Sequence, residues 1–172
     1  MCKQIETSEL IDPRDGKAYK TVKIGEQVWM AENLNWDGVG VTYKNEESNG
    51  KKYGRLYKWD EAMKAAPPGW HLPTDAEWQE LVDFADGNEN AVTALKSEEW
   101  DGDDRHGFSA LPGGSRGRNG DFNYIGDDGY WWSATEKGSE LAYGRSMDSG
   151  DAKVYRYGSY KDNSFSVRLV KD

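Results

Sequence analysis

From Gly107 to the C-terminus the chain has little room for a long helix. Residues 107–172 hold 11 of the 20 glycines. Between those glycines lie short apolar segments: Tyr130 to Ala134, Leu141 to Tyr143, Val154 to Tyr157 and Phe165 to Val170. Gly, Asn, Asp and Ser separate them, which is the pattern of strands joined by turns and loops. The last segment alternates, with Phe165, Val167 and Leu169 on one face and Ser166 and Arg168 on the other. In Trp131-Trp132, neighbours on a strand face opposite sides, so one indole is expected in the core and the other is free to be exposed.

Upstream the signals differ. Lys20, Val22 and Ile24 alternate with Tyr19, Thr21 and Lys23, and Gly25-Glu26 supplies a turn before Val28, Trp29 and Met30, predicting a hairpin over 18–31. Trp36 to Lys52 reads as a long surface loop. Trp59, Ala62, Met63 and Ala66 fall at helical spacing, ended by Pro67-Pro68. Thr74 and Glu77 form a capping box, in which each side chain satisfies an otherwise orphan amide. Trp78, Leu81, Val82 and Ala85 then repeat at helical spacing up to Gly87, and another short helix is expected from Asn90 to about Ser97. Hairpin, helices, then sheet make an α+β domain with two or three helices and a small antiparallel sheet. Residues 1–17 read as an N-terminal arm and 18–172 as one domain.

The core must be aromatic. Only 36% of residues are hydrophobic, yet the chain carries 8 Trp, 10 Tyr and 4 Phe, and each large ring can bury roughly 150–250 Å². Trp29, Trp59, Trp70 and Trp78 are most simply core. A net charge of −9 with no basic cluster argues against nucleic acid. No apolar run approaches the ~20 residues of a membrane span, and the N-terminus shows no apolar leader core. The single cysteine excludes an internal disulfide. Cys2 reads either as a lipid-attachment residue or as an ordinary terminal residue.

Four stretches resemble the Fibrobacter succinogenes major paralogous domain: Val28 to Leu34, Pro67 to Thr74, Gly107 to Gly114 and Gly129 to Glu136, closed by Phe165 to Arg168. The resemblance spans roughly 18–172. It implies a C-type-lectin-like fold of the formylglycine-generating-enzyme-like branch, on Leu72 to Trp78, Gly113 to Ser115 and Ser166 to Leu169. Where that family often carries two cysteines, this chain has Ala66 and Leu169. Both partners of the implied disulfide are replaced together, which points to an apolar contact and to assembly in a reducing compartment, as for a phage or virus-like particle protein.

Three functions can be set against this sequence. As an enzyme the chain lacks the paired cysteines of formylglycine-generating enzymes, and His71 and His106 cannot supply three nitrogens to a metal. His71 reads as a structural hydrogen-bonding residue and His106 as solvated. A hydrolase using two carboxylates stays open. As a sugar binder it lacks the Glu-Pro-Asn, Gln-Pro-Asp and Trp-Asn-Asp motifs of calcium-dependent lectins. Exposed aromatic rings could still stack on sugars, and Asp101 to Asp104 and Gly126 to Gly129 leave room for weak Ca²⁺ binding; no other cofactor is expected.

The third reading is recognition of a cell-surface protein or glycan through residues 115–163. The candidate contacts are Arg118, Asn119, Asp121, Asn123, Tyr124, Asp127, Tyr143, Arg145, Ser146, Asp148, Tyr155, Tyr157, Ser159 and Tyr160. Tyr, Ser, Gly and Asn also dominate antibody loops, because tyrosine offers a large rigid contact at low entropy cost. The pattern resembles the variable proteins of diversity-generating retroelements, which implies a surface-displayed, secreted or virion-associated protein. Trp131, Trp132, Leu141, Val154, Phe165 and Val167 are expected to anchor the region from beneath. Alanine at Tyr143, Tyr155 and Tyr157 is then expected to weaken binding while leaving the melting temperature nearly unchanged.

Overall fold

The computed structural model describes residues 4–172, so Cys2 and its two readings lie outside the described residues. The fold is α+β, with four α-helices and two five-stranded sheets among the described residues. One sheet has the order β1 (Thr7–Ile11), β2 (Ala18–Ile24), β3 (Gln27–Met30), β10 (Val170–Lys171), β4 (Trp70–His71), antiparallel throughout. The second has the order β6 (Phe122–Ile125), β5 (Gly113–Arg116), β7 (Asp128–Glu136), β8 (Leu141–Asp148), β9 (Tyr155–Tyr160). It is mixed, because β5 and β7 run parallel at Gly114 and Gly129.

The hairpin forms as its alternation predicts, with Ile24 opposite Gln27 across the turn. The segment read as an arm contributes an edge strand: Thr7 to Ile11 pair with Val22 to Ala18. The stretch read as a surface loop folds further, into a 3-10 turn at Tyr43–Asn45 and the helix α1 (Glu47–Tyr53). Tyr43 is buried against Phe122, ring centroids 5.1 Å apart, and a Lys51–Glu47 pair at 3.3 Å spans one helical turn. Gly50 permits that docking, since a Cβ there would stand 2.6 Å from the Thr42 methyl. The helix read through Ala66 is only one turn, α2 (Trp59–Ala62), followed by a turn at Met63 and Lys64.

The helix α3 (Asp75–Phe84) starts as its capping box requires. Thr74 accepts from the Glu77 amide, and Glu77 returns a carboxylate to the Thr74 amide. Trp78, Leu81 and Val82 face the core. The helix α4 (Ala91–Leu95) is a short buried segment.

Two aromatic clusters hold the second sheet between them. One contains Trp29, Trp78, Phe108 and Trp131; the other contains Tyr57, Trp132, Phe165 and Leu169. Trp131 and Trp132 therefore point opposite ways, as strand geometry demands, yet both are fully buried because both faces of β7 are covered. Trp29 and Trp78 are likewise fully buried, whereas Trp59 and Trp70 are half-buried at the edge of the second cluster. The closing segment runs between the sheets. Ser164 bridges Arg116, Phe165 bridges Tyr57, Ser166 bridges Trp131, and Val167 and Leu169 accept from Leu34 and Met30. Its alternation is real, but everything from Ser164 to Val170 is buried.

Candidate functional site

The register of β7, β8 and β9 decides which candidate side chains share a face. Tyr130 lies opposite Ser146, which lies opposite Tyr155; Trp132 lies opposite Gly144, which lies opposite Tyr157. Ser159 follows the same alternation. On this face Phe165 forms a floor, 5.4 Å from Tyr130 and 6.2 Å from Tyr157. Tyr124 extends the aromatic row, 6.1 Å from Tyr130. At one end of β9 the Arg118 guanidinium lies 4.5 Å above the Tyr160 ring. Asn163 ties this end together, accepting from the Arg118 amide and donating to the Ser159 hydroxyl.

The opposite face carries Tyr143 and Arg145. Arg156 lies across from Arg145 in register, and its guanidinium sits 3.9 Å over the Tyr143 ring. Arg145 and Arg156 both grip Asp75 in the first turn of α3, at 2.6 Å and 2.9 Å. Burial works to raise the Asp75 pKa, but hydrogen bonds from Arg156 and Arg145 outweigh it and hold the carboxyl below its usual range.

Eight of the fourteen candidates are exposed: Arg118, Asn119, Asp121, Asn123, Tyr124, Asp127, Tyr155 and Tyr160. Tyr143, Ser146, Asp148, Tyr157 and Ser159 are half-buried. Arg145 is a correction: its exposure is 0%. It is a strut between β8 and α3, because the inward face of β8 needs a long side chain to reach the Asp75 carboxylate. Tyr157 is a second correction. Its hydroxyl is buried without a hydrogen-bond partner, and its ring packs edge-on to Tyr130 and Phe165. Of Tyr143, Tyr155 and Tyr157, the three positions at which alanine was expected to spare folding, Tyr157 is the one whose ring is packed between other aromatic rings. Of the expected anchors, Trp131, Trp132, Val154, Phe165 and Val167 are buried and Leu141 is half-buried.

Three residues absent from the sequence-based set belong to these surfaces. Tyr130 donates its hydroxyl to Asp128 at 2.8 Å, and burial together with that carboxylate raises its pKa. Arg156 and Lys137 flank Tyr143, with the ammonium 5.6 Å from the ring. Strand register against Ser146 and Arg145 was the signal that could have found Tyr130 and Arg156. Tyr124 has a further property: it is 55% exposed and adopts φ +69°, a left-handed conformation that an aromatic residue rarely holds.

Elsewhere, His71 bonds Glu77 at 2.8 Å and Asp172 at 2.6 Å, the structural use its position suggested. His106 is half-buried against Phe84, ring centroids 5.3 Å apart, rather than freely solvated. No group of three or more His, Cys, Asp or Glu that could hold a metal is present among the described residues, and no described helix is long and apolar enough to cross a membrane. Ala66 and Leu169 both pack on the Trp132 cluster.

These features define an α+β domain that holds a polar, tyrosine-bearing sheet surface over an aromatic core. A family model for the Fibrobacter succinogenes major domain matches residues 22–171, and the chain belongs to that family. Comparison with curated proteins and with solved structures gave no match.

Proposed function

We propose that this domain is a non-catalytic recognition module of C-type-lectin-like type, whose surface over residues 115–163 binds a protein on a cell surface. One observation carries the reading. The exposed side chains Tyr124, Tyr155 and Tyr160 stand on a sheet whose two faces are locked by buried Trp131 and Trp132, and Arg118 reaches over Tyr160 from the turn between β5 and β6. A rigid sheet lets exposed positions change at little cost in stability, usually within about ±0.5 kcal/mol each. Tyrosine and arginine are the side chains that dominate binding hot spots. The strained backbone at Tyr124 supports a role at the surface, since strain of about 1–3 kcal/mol persists where the surrounding structure enforces it. Display on a cell or virion surface, and diversification of the exposed positions by a retroelement, belong to the same proposal.

The test compares wild type with the Tyr124→Ala/Tyr155→Ala/Tyr160→Ala variant for binding to intact bacterial cells and to a glycan array. Saturable cell binding that protease treatment of the cells abolishes, and that the variant loses while keeping its melting temperature, supports the reading. Binding confined to glycans would transfer the surface to sugar recognition by ring stacking. Undiminished binding by the variant would remove the surface from the function altogether. Retroelement diversification requires a nearby near-copy of the coding region differing only at adenines, beside a reverse transcriptase gene.

A further inference from the structure

The aromatic face of β7, β8 and β9 is unevenly charged. Asp128 and Asp148 lie directly opposite each other in the β7–β8 register. Each is two residues from a member of the Tyr130–Ser146 pair, so both carboxylates share the face with Tyr130, Ser146 and Tyr155. Like charges directly opposite across strands are unfavourable. Asp127 adjoins them in the turn before β7 and Asp151 in the loop before β9, both exposed. The aromatic hydroxyls turn toward these acids: Tyr130 donates to Asp128 at 2.8 Å, and Tyr155 donates to Asp151. Tyr124, 6.1 Å from Tyr130, makes a third ring beside the four carboxylates.

None of Asp127, Asp128, Asp148 and Asp151 is in an ion pair among the described residues. Two lysines are near. Lys153 is paired with Glu89 at 2.8 Å, its ammonium 5.9 Å from the Tyr155 ring. Lys96 is buried; its ammonium donates to the Asp148 backbone carbonyl and lies 4.3 Å from the Trp100 ring. Burial lowers the Lys96 pKa, while Asp148, Asp101, Asp128 and Asp151 work to raise it. One ammonium is thus shared among four carboxylates, and it reaches Asp148 from the side of the Trp100 and Trp131 cluster. The outer face keeps a net negative charge.

The carboxylates are not gathered for a metal ion: no group of three or more that could hold one is present among the described residues. They suit an organic cation. An ammonium or guanidinium is attracted by the face of a tyrosine ring, and the alkyl stem of lysine or arginine covers apolar surface. Tyr130, Ser146 and Tyr155 stand on three adjacent strands, about 4.8 Å apart. An extended segment laid across them, at about 3.3 Å per residue, meets both rings within about three residues.

We infer that, granted the recognition role proposed above, the Tyr124–Tyr130–Tyr155 end of the surface receives a lysine- or arginine-rich segment of the partner protein. Its cationic side chains lie against the rings and over Asp128 and Asp148, relieving the like-charge pair.

The experiment titrates the full chain with acetyl-tetralysine amide and with acetyl-tetraglutamate amide, following backbone amides by NMR. Tetralysine is expected to shift the amides of Tyr130, Ser146, Asp148 and Tyr155 before any in the other acidic stretch, Asp101 to Asp104. Its affinity should fall at least about tenfold between about 50 mM and about 500 mM salt. Tetraglutamate should leave these amides unmoved. Asp128→Asn/Asp148→Asn keeps the side-chain shapes and removes both charges, so it should lose at least about tenfold in affinity while melting no lower than wild type. Asp162→Asn, past the far end of β9, lies beyond the screening length of about 8 Å at physiological salt and should bind within about twofold of wild type. Shifts centred on Asp101 to Asp104, equal binding of tetraglutamate, salt-independent binding or an unaffected Asn variant would each overturn the inference. So would calcium chloride moving the same amides at a lower concentration than tetralysine. Should the Asn variant unfold, the wild-type shift map and its salt dependence decide alone. In the intact-cell assay, binding kept by the Asn variant and lost by the tyrosine variant would overturn the charge preference and leave the recognition role standing. Binding kept by the tyrosine variant would overturn that role itself.

Discussion

Replacing Tyr157 by phenylalanine removes one oxygen from the middle of the β8–β9 sheet. That oxygen is buried and unpartnered, and it faces Gly144, where a Cβ would stand only 3.4 Å from it. Desolvating an unpaired hydroxyl costs about 1–3 kcal/mol, so removing it should return a similar amount to the folded state. The ring stays, and with it the edge contacts to Tyr130 and Phe165 at 6.3 Å and 6.2 Å. Tyr157→Phe is therefore expected to raise the melting temperature by about 2–4 °C for each kcal/mol recovered in a chain of this size. Tyr157→Ala is expected to fall by about 3–5 kcal/mol, because the lost ring leaves a cavity above Phe165. Calorimetry and urea unfolding of the two variants read both quantities. A Tyr157→Phe protein less stable than wild type by more than about 0.5 kcal/mol would refute the reasoning. It would mean that the hydroxyl has a partner, such as a bound water, and that Tyr157 belongs to a polar network.

Three further outcomes follow from the same structure. Arg145→Ala should cost about 3–5 kcal/mol, by losing the Asp75 contact and leaving a cavity where the buried chain lay, whereas Arg145→Met should cost clearly less, since it fills that space while Arg156 holds Asp75 in both variants; urea unfolding of both distinguishes them, and equal losses would count against the strut. Thr74→Ala should cost about 1 kcal/mol, read as a lower midpoint at unchanged slope, because the Glu77 amide loses its acceptor. His71 gives a pH dependence. Burial works to lower its pKa, but hydrogen bonds to Asp172 and Glu77 prevail and raise it. The raised folded pKa means that its contribution is fully present below the unfolded histidine value of about 6.5 and is lost as pH rises through the folded value. The group is partly exposed, so the contribution should stay under about 1 kcal/mol. His71→Asn should flatten the fall in melting temperature across that window, and an unchanged slope would show the contacts to be idle.

Local rules made much of the fold legible. The hairpin, the Thr74–Glu77 cap and the strands at Tyr130, Leu141 and Tyr155 each follow from neighbours in sequence, and each formed, whereas Phe165 to Leu169 makes only isolated bridges before Val170. What failed needed distant partners. Tyr43 looked like a loop residue because nothing nearby in sequence announces that it packs on Phe122, 79 positions on. Trp131 and Trp132 followed the pleat, but a second aromatic cluster from Tyr57 and Phe165 covers the face that looked free. Arg145 sits among Tyr, Ser and Gly, the company of a contact surface, and only its register against Arg156 and its reach to Asp75 turn it inward. Composition identifies a polar surface, whereas the pairing of strands decides which half of it meets solvent.

The Ala66 and Leu169 positions allow one more prediction, in which a resemblance becomes a measurement. Both residues pack on the cluster that contains Trp132 and Phe165, Leu169 being fully buried. If these are the positions at which the family's disulfide lies, the double variant Ala66→Cys/Leu169→Cys, in a Cys2→Ser background, should oxidise without rearranging the fold. Closing a loop of about 100 residues restrains the unfolded chain by up to about 4.7 kcal/mol. Trading a buried leucine for cysteine returns about 1–2 kcal/mol of that through lost apolar burial. A net gain of about 2–4 kcal/mol is expected for the oxidised protein, and a net loss of about 1–2 kcal/mol for the reduced one. Thiol titration and paired melts with and without reductant measure both. Two thiols that stay free under oxidant would show that these side chains do not meet, and that the shared apolar cluster, rather than a vacated disulfide, is what explains Leu169.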